Sequence, residues 1–191
     1  VVLAAGRSSR MGGPNKLLSR FDGVTLVRRS VERATASSAD AVVVVTGHQH
    51  DEIGRALAGT SARIVHNERF GEGLSSSLKA GVKAAGEAAG ILVMLADMPG
   101  ITTGDLDRII QAARDNPGAV IRATHGGRRG NPVVLPEPLL DAVNGLAGDA
   151  GARALVESAG DDAIDVEIGA GALLDVDTPE ALDAAGGVAE G

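Results

Sequence analysis

Runs of branched apolar residues recur along the chain with helical segments between them. This rhythm restricts the fold more than any other feature. The runs are Val1–Ala5, Ala41–Thr46, Ala62–His66, Ile91–Ala96 and Ala119–Thr124. They are continuous rather than alternating, as strands buried on both faces read. Between them, Thr25–Ser37, Leu74–Ala89 and Thr103–Asn116 follow helical spacing. Leu26, Val27, Val31 and Ala34 share one side of the first, and Leu106, Ile109, Ile110 and Ala113 share one side of the last. Strand and helix in alternation give right-handed βαβ units, a mostly parallel sheet and an α/β fold class. After Asn116 the rhythm loosens. Thr124–Leu140 (THGGRRGNPVVLPEPLL) predicts a loop with a short strand beside the sheet, and Gly148–Gly160 predicts a capped helix. Ala172–Gly186 (ALLDVDTPEALDAAG) predicts a strand and then a helix, with Thr178 as N-cap and Pro179 in the first turn. No repeat or linker interrupts the chain, so residues 1–191 read as a single domain.

Composition narrows the partners. The hydrophobic share of 44% is enough for a core, and the absence of cysteine excludes disulfides, thiolate metal sites and cysteine nucleophiles. No apolar run reaches the length of a membrane span and no leader is visible, so a cytoplasmic enzyme with no membrane partner is expected. A net charge of -7 argues against nucleic acid as the main partner. Yet Arg7, Arg10, Lys16 and Arg20 all precede the first acid, Asp22. A basic, glycine-rich loop in an acidic chain suits a small anionic ligand; a solvated surface loop is the alternative. Phe21 and Phe70 are the only aromatic residues besides histidine. A bound base is therefore expected to be recognised by backbone groups and close packing rather than by stacking.

Open parallel sheets bind ligands beyond the carboxyl ends of their strands. Two loops leave such ends with polar chemistry, Gly6–Lys16 and Asp97–Gly100. The first lacks the Gly-Lys-Ser/Thr of a Walker A element and the glycine spacing of a dinucleotide fingerprint. It can still form a nest of N–H groups facing an anion, with Lys16 as a point charge for phosphate. Asp97 ends an apolar run, where a carboxylate is costly without a partner. Mg²⁺ is one partner; a turn aspartate before Pro99 is the other reading. Alternation puts Asp175 and Asp177 on one face of their segment, so Asp177 reads as a second Mg²⁺ ligand or as part of the helix cap. Ser75, Ser76 and Ser77 at a helix start suit capping, or recognition of a base edge or phosphate. His48-Gln49-His50 is a weak zinc pattern without a third ligand. No G-x-S-x-G elbow points to hydrolase chemistry.

Together these segments resemble the MobA-like nucleotidyltransferases. LAAGRSSRMGGPNKLL (Leu3–Leu18) is similar to the signature loop. VVTGH, NERFGEGLSSSLKAG, LADMPGI, RGNPVVL, GDAGAR and DVDTPE follow in the family's order. The resemblance is nearest to the molybdenum cofactor cytidylyltransferase (MocA-like) branch. It implies a three-layer Rossmann-like nucleotidyltransferase fold and transfer of CMP from CTP to molybdopterin cofactor, with Mg²⁺ as cofactor and pyrophosphate as product. By resemblance, Leu3, Ala4, Ala5, Gly6, Arg7 and Lys16 meet the nucleotide, and Asn67, Gly73, Leu74 and Ser75 complete its base and ribose pocket. Lys16 and Asp97 are catalytic, Asp97 and Asp177 bind the metal, and Asn131, Pro132, Asp149 and Arg153 lie toward the acceptor. Guanylyl-transferring relatives carry glycine where this chain has Ala5, which favours CTP over GTP. Three alternatives remain at this point: GTP as donor, another phosphorylated acceptor, or a non-catalytic protein that carries the molybdenum cofactor to a client molybdoenzyme.

Overall fold

The computed structural model describes residues 1–8 and 15–189. A seven-stranded sheet runs through its middle in the order β5-β4-β1-β6-β8-β7-β9. The strands are β1 (Val2–Ala4), β4 (Val43–Thr46), β5 (Arg63–His66), β6 (Gly90–Leu95), β7 (Ile121–His125), β8 (Arg128–Pro136) and β9 (Ile164–Glu167). Parallel pairing joins β5, β4, β1 and β6, and also β7 and β9. β8 alone is antiparallel to its neighbours, β6 and β7. A two-stranded ribbon of β2 (Arg20–Phe21) and β3 (Val24–Thr25) lies outside this sheet.

The apolar runs are continuous because each strand packs on two sides. Val2 and Ala4 face one core and Leu3 the other; Val44 faces the first, Val43 and Val45 the second. The first core is roofed by α1 (Leu26–Thr35), α2 (His50–Ala56) and α4 (Thr103–Asp115), through Val27, Val31, Ile53, Leu106 and Ile109. The second is covered by α3 (Leu74–Ala85) and α6 (Ala152–Ser158), through Leu78, Ala152 and Val156. The short α5 (Glu137–Leu140) packs its Leu139 and Leu140 on that side too. A third, smaller cluster joins Phe21, Leu26 and Val176 to Leu182 of α7 (Pro179–Ala184). This is the expected three-layer α/β arrangement. Among the described residues no helix is long and apolar enough to cross a membrane.

Helix ends follow local chemistry. Thr102 and Asp105 form a reciprocal capping box at the start of α4, with Asp105 N–H donating to Thr102 Oγ1 at 3.2 Å and Thr102 N–H to Asp105 Oδ2 at 2.8 Å. Thr178 caps α7 as expected, accepting from Ala181 N–H at 3.2 Å.

Two expectations need correction. The short strand placed beside the sheet is the nine-residue β8, and it sits inside the sheet between β6 and β7. Gly126 and Gly127, with φ of 56° and 75°, make the tight turn from β7 into β8. A primed two-residue hairpin needs this left-handed geometry at both central positions. The expected strand in Ala172–Asp177 does not form. Ala170–Leu173 is a 3₁₀ turn, and the residues after it run to α7 without joining a ladder. The neighbouring strand, β6, has β1 on one edge and β8 on the other, so it has no free edge to offer.

Candidate active site

The connection after β1 runs toward β4 on one side, while β6 lies on β1's other side, so the order of strand connection switches between β1 and β6. A crevice opens at the carboxyl ends of such a pair. Ala96 N–H donates to Leu3 O at 3.0 Å, so the loops leaving β1 and β6 start side by side. They share a cleft of about 470 Å³. A larger cleft, about 790 Å³, lies toward the amino ends of the strands. It is mainly apolar, and its Arg114 and Asp40 face each other at 3.9 Å. The chemistry is concentrated in the first cleft.

Lys16 enters that cleft from a 3₁₀ turn, Lys16–Leu18, whose Leu17 is buried. Asn15 caps the turn by accepting from Leu17 N–H at 3.1 Å, and it also accepts from Ser8 Oγ at 3.1 Å. Ser8 Oγ in turn accepts from Lys16 N–H at 3.3 Å. Ser8 and Asn15 thus clasp the two described ends of the glycine-rich loop. Arg10, and the part of the expected anion nest between Ser8 and Asn15, lie outside the described residues.

The Lys16 ammonium donates to Asp97 Oδ2 at 2.5 Å and to Asp177 Oδ1 at 2.6 Å. Lys16 is 11% exposed, Asp97 16% and Asp177 26%. Burial on its own lowers the lysine pKa, but the two carboxylates outweigh it and the net shift is upward. Asp177 reaches the cleft because Val176 is fully buried and its N–H donates to Asp97 O at 3.0 Å. Asp175, on the other side of Val176, also lines the cleft. Burial first, and then the hydrogen bond and charge of Asp177, raise the Asp175 pKa above the usual aspartate value. Asp97 Oδ1 is buried and has no hydrogen-bond partner among the described residues.

Helix α1 supports the Asp97 turn from below. Ser30 Oγ donates to Ala96 O at 2.9 Å, and Arg33 Nη1 donates to Pro99 O at 2.7 Å and to Ile101 O. Across the cleft, Phe70 packs against Gly47 and Ala5. A Cβ on Gly47 would fall 2.5 Å from Phe70 Cβ and 2.9 Å from the Ala5 methyl. The Arg7 guanidinium lies 5.3 Å from the centre of the Phe70 ring. Gly73, with φ of 100°, abuts Gly148, and Ser75 N–H donates to Gly148 O at 3.0 Å. That contact brings Asp149 to the cleft wall.

Among the residues singled out in the sequence, Leu3, Ala5, Gly6, Arg7 and Lys16 line the cleft, as do Gly73, Leu74, Asp97, Asp149 and Asp177. The others are placed elsewhere. Ala4 points into the first core. Asn67 is buried and donates to Ser76 Oγ at 2.9 Å and Ser77 Oγ at 3.0 Å. Ser75 is buried at the start of α3. Asn131 and Pro132 lie on β8, and Arg153 pairs with Glu157 on α6; none of the three lines the cleft. Ser77, singled out with Ser75 and Ser76, lines the cleft; Phe70 and Gly71 also line it without having been expected there, so an aromatic ring does border the site. The nearness of Phe70 to Gly71 and Gly73 was the available signal, since small residues let a neighbouring ring and cation come close. A Cβ on Gly71 would fall 2.8 Å from Arg7 Nη2. The weak zinc pattern yields no cage: His50 stacks on His66 at 4.2 Å, and no three His, Cys, Asp or Glu side chains converge to hold a metal among the described residues.

Known proteins are similar to this chain along most of its length. A nicotine blue oxidoreductase of Paenarthrobacter nicotinovorans is 34% identical over 161 residues, covering 80% of this chain and 78% of that protein. The molybdenum cofactor cytidylyltransferase of Escherichia coli (strain K12) is 32% identical over 183 residues, covering 94% and 91%. The solved nucleotidyl transferase from Methanothermobacter thermautotroptrophicus has a TM-score of 0.85 at 29% identity, covering 97% of this chain and 94% of that one. The MobA-like NTP transferase domain matches residues 1–163, the stretch that supplies Lys16 and Asp97. With a mostly parallel sheet whose strand order switches beside Lys16 and Asp97, the chain belongs to the MobA-like family and is a nucleotidyltransferase.

Proposed function

We propose that this chain transfers CMP from CTP to molybdopterin cofactor and releases pyrophosphate. The observation that carries the reading is the Lys16 ammonium, held over the β1–β6 crevice by Asp97 and Asp177. In the reaction an acceptor phosphate oxygen attacks the α-phosphorus in line and pyrophosphate departs. Phosphoryl chemistry of this kind needs positioning and charge more than covalent help. Lys16 would bind the phosphate oxygens. Arg7, which has no carboxylate partner among the described residues, would add a second cation from its seat on Phe70. The backbone of Ala5 and Gly6 would meet the base, and Gly73 and Leu74 the ribose side. Asp149 would face the acceptor. Asn131, Pro132 and Arg153 are weaker candidates because they lie off the cleft wall.

The residues fit Mg²⁺. Asp97 Oδ1 is a buried oxygen without a partner, and Asp97, Asp175 and Asp177 together outnumber Lys16. Mg²⁺ takes one or two carboxylates and completes its shell with phosphate and water, so a ready-made cage is not required. Asp97 would hold it, with Asp177 beside it. When bound, the ion would neutralise charge on the triphosphate. The Ala5 methyl, which lines the cleft beside Gly47, would narrow its base side and supports a pyrimidine. The oxidoreductase relative does not redirect the reading, because the loop after β1 lacks the glycine spacing of a dinucleotide fingerprint.

Pyrophosphate release from purified protein with Mg²⁺ and molybdopterin cofactor tests the proposal. CTP should support release and GTP should not. A preference for GTP would make the enzyme a guanylyltransferase. No release with either nucleotide would leave a protein that binds the cofactor without transferring to it.

A further inference from the structure

The contact between Lys16 and the two carboxylates has a consequence for the order in which ligands enter. We propose that Lys16 and a divalent cation take turns at the Asp97–Asp177 pair, so that nucleotide phosphates must draw Lys16 away before the metal is held firmly. The inference rests on the metal-dependent reading above.

The ammonium touches one oxygen of each carboxylate, at 2.5 and 2.6 Å. It bridges them and is 11% exposed, so it fills the space between them. A divalent ion drawing on the same two oxygens would need that space. Beside the ammonium it would also face a like charge at short range, where little water screens the repulsion. The metal-competent state is therefore the one in which Lys16 has swung out. Without nucleotide that state is rare, because leaving would abandon two carboxylates with Asp175 close by. A ligand that binds only a minor state has its apparent affinity reduced by that state's population. Triphosphate oxygens give the ammonium another place to go and raise that population. Metal and nucleotide then favour each other, reciprocally, as linkage requires. Lys16 is the coupling element as well as a phosphate contact.

The test reads metal binding without nucleotide. Mn²⁺, a hard oxygen-seeking ion with a strong paramagnetic signal, serves as the probe, and loss of the free-ion signal reports binding. Wild type should bind Mn²⁺ weakly. Lys16→Met should bind it about tenfold more tightly or better, the scale expected when one close like charge is removed. Lys16→Gln should do the same. Arg7→Met is the charge control: it removes a cation lining the same cleft but leaves the carboxylate bridge intact. Its Mn²⁺ affinity should change by less than about threefold, as expected for a solvent-screened charge. If the lysine variants are destabilised by their unpaired carboxylates, Mn²⁺ should raise their melting temperatures more than that of wild type. Unchanged or weaker Mn²⁺ binding in the lysine variants would overturn the proposal, because the ion would then use other oxygens while Lys16 stays. An equal gain in Arg7→Met would overturn it too, by showing a general charge effect. Absence of Mn²⁺ binding in every protein would also end it. Pyrophosphate release by wild type with Mg²⁺ and CTP would show, in that case, that the transferase reading survives without this ordering.

Discussion

Asp97 and Asp175 face the same cleft but should respond to substitution in opposite ways. Asp97, in the turn after β6, has one oxygen on Lys16 and one without a partner among the described residues. Asp97→Asn keeps the shape and removes the charge. Lys16 retains Asp177, so the fold should persist, while turnover should drop on the order of 100-fold or more. A folded Asp97→Asn protein with near-normal pyrophosphate release would remove Asp97 from catalysis. Asp175 has its pKa raised above the usual value of 3.8, by burial and by Asp177. The folded state thus holds the Asp175 proton more tightly than the unfolded chain does. Stability attributable to this group is highest at low pH and falls as pH rises past the ordinary aspartate value. Asp175→Asn should therefore raise the melting temperature at neutral pH, with a gain that shrinks toward pH 4 and below. An equal gain at all pH values would mean that charge is not the cause. Lys16 and Asp97 were legible in the sequence because a lone charge beside an apolar strand must have a reason. Phe70 was legible only through its glycine neighbours, Gly71 and Gly73; the ring alone does not say which surface it covers.

At the level of elements, α3 depends on a residue that the family resemblance assigned to the nucleotide. Asn67 spends its amide hydrogens on Ser76 and Ser77, and its oxygen accepts from Arg69 N–H at 3.1 Å. Asn67→Ala would leave the buried Ser77 hydroxyl short of a partner, at a cost of about 1–3 kcal/mol. The urea midpoint should fall with little change in slope, while KM for CTP moves only modestly. A large rise in KM at unchanged stability would return Asn67 to the pocket. Strands β1, β4, β6 and β7 were readable because two-sided burial demands long apolar runs. Other elements escaped, three of them for physical reasons. Helix α2 has seven residues and includes Gly54, too short to show a period. Strand β9 pairs only with β7 at the edge of the sheet, and its Ile164-Asp165-Val166-Glu167 alternates rather than running apolar. The hairpin at Gly126-Gly127 was read as loop, although paired glycines between two runs are a turn signal in their own right.

For the whole molecule, nucleotide preference should be visible as stability. A ligand that binds only the folded state contributes about 2.7 kcal/mol at 100 times its dissociation constant. CTP with Mg²⁺ should therefore raise the melting temperature more than GTP does at equal concentration. Ala5→Gly should narrow the gap without reversing it, because Phe70, Gly73 and Leu74 still bound the cleft. Better protection by GTP in the unmodified protein would refute the cytidylyl assignment. The same molecule also has a history on the ribosome. Lys16 and Asp97 are 81 positions apart, but Lys16 and Asp177 are 161 apart. Chains fold from the amino end as they are made. A nascent chain can thus build β1, β4 and β6 and close the first ion pair long before the second carboxylate has been synthesised. Translation that stopped just short of Asp177 would release a protein with all seven strands of its sheet and two members of its charge trio. The contact to Asp177 is thus completed only after all seven strands of the sheet that carries Lys16 and Asp97 have been made.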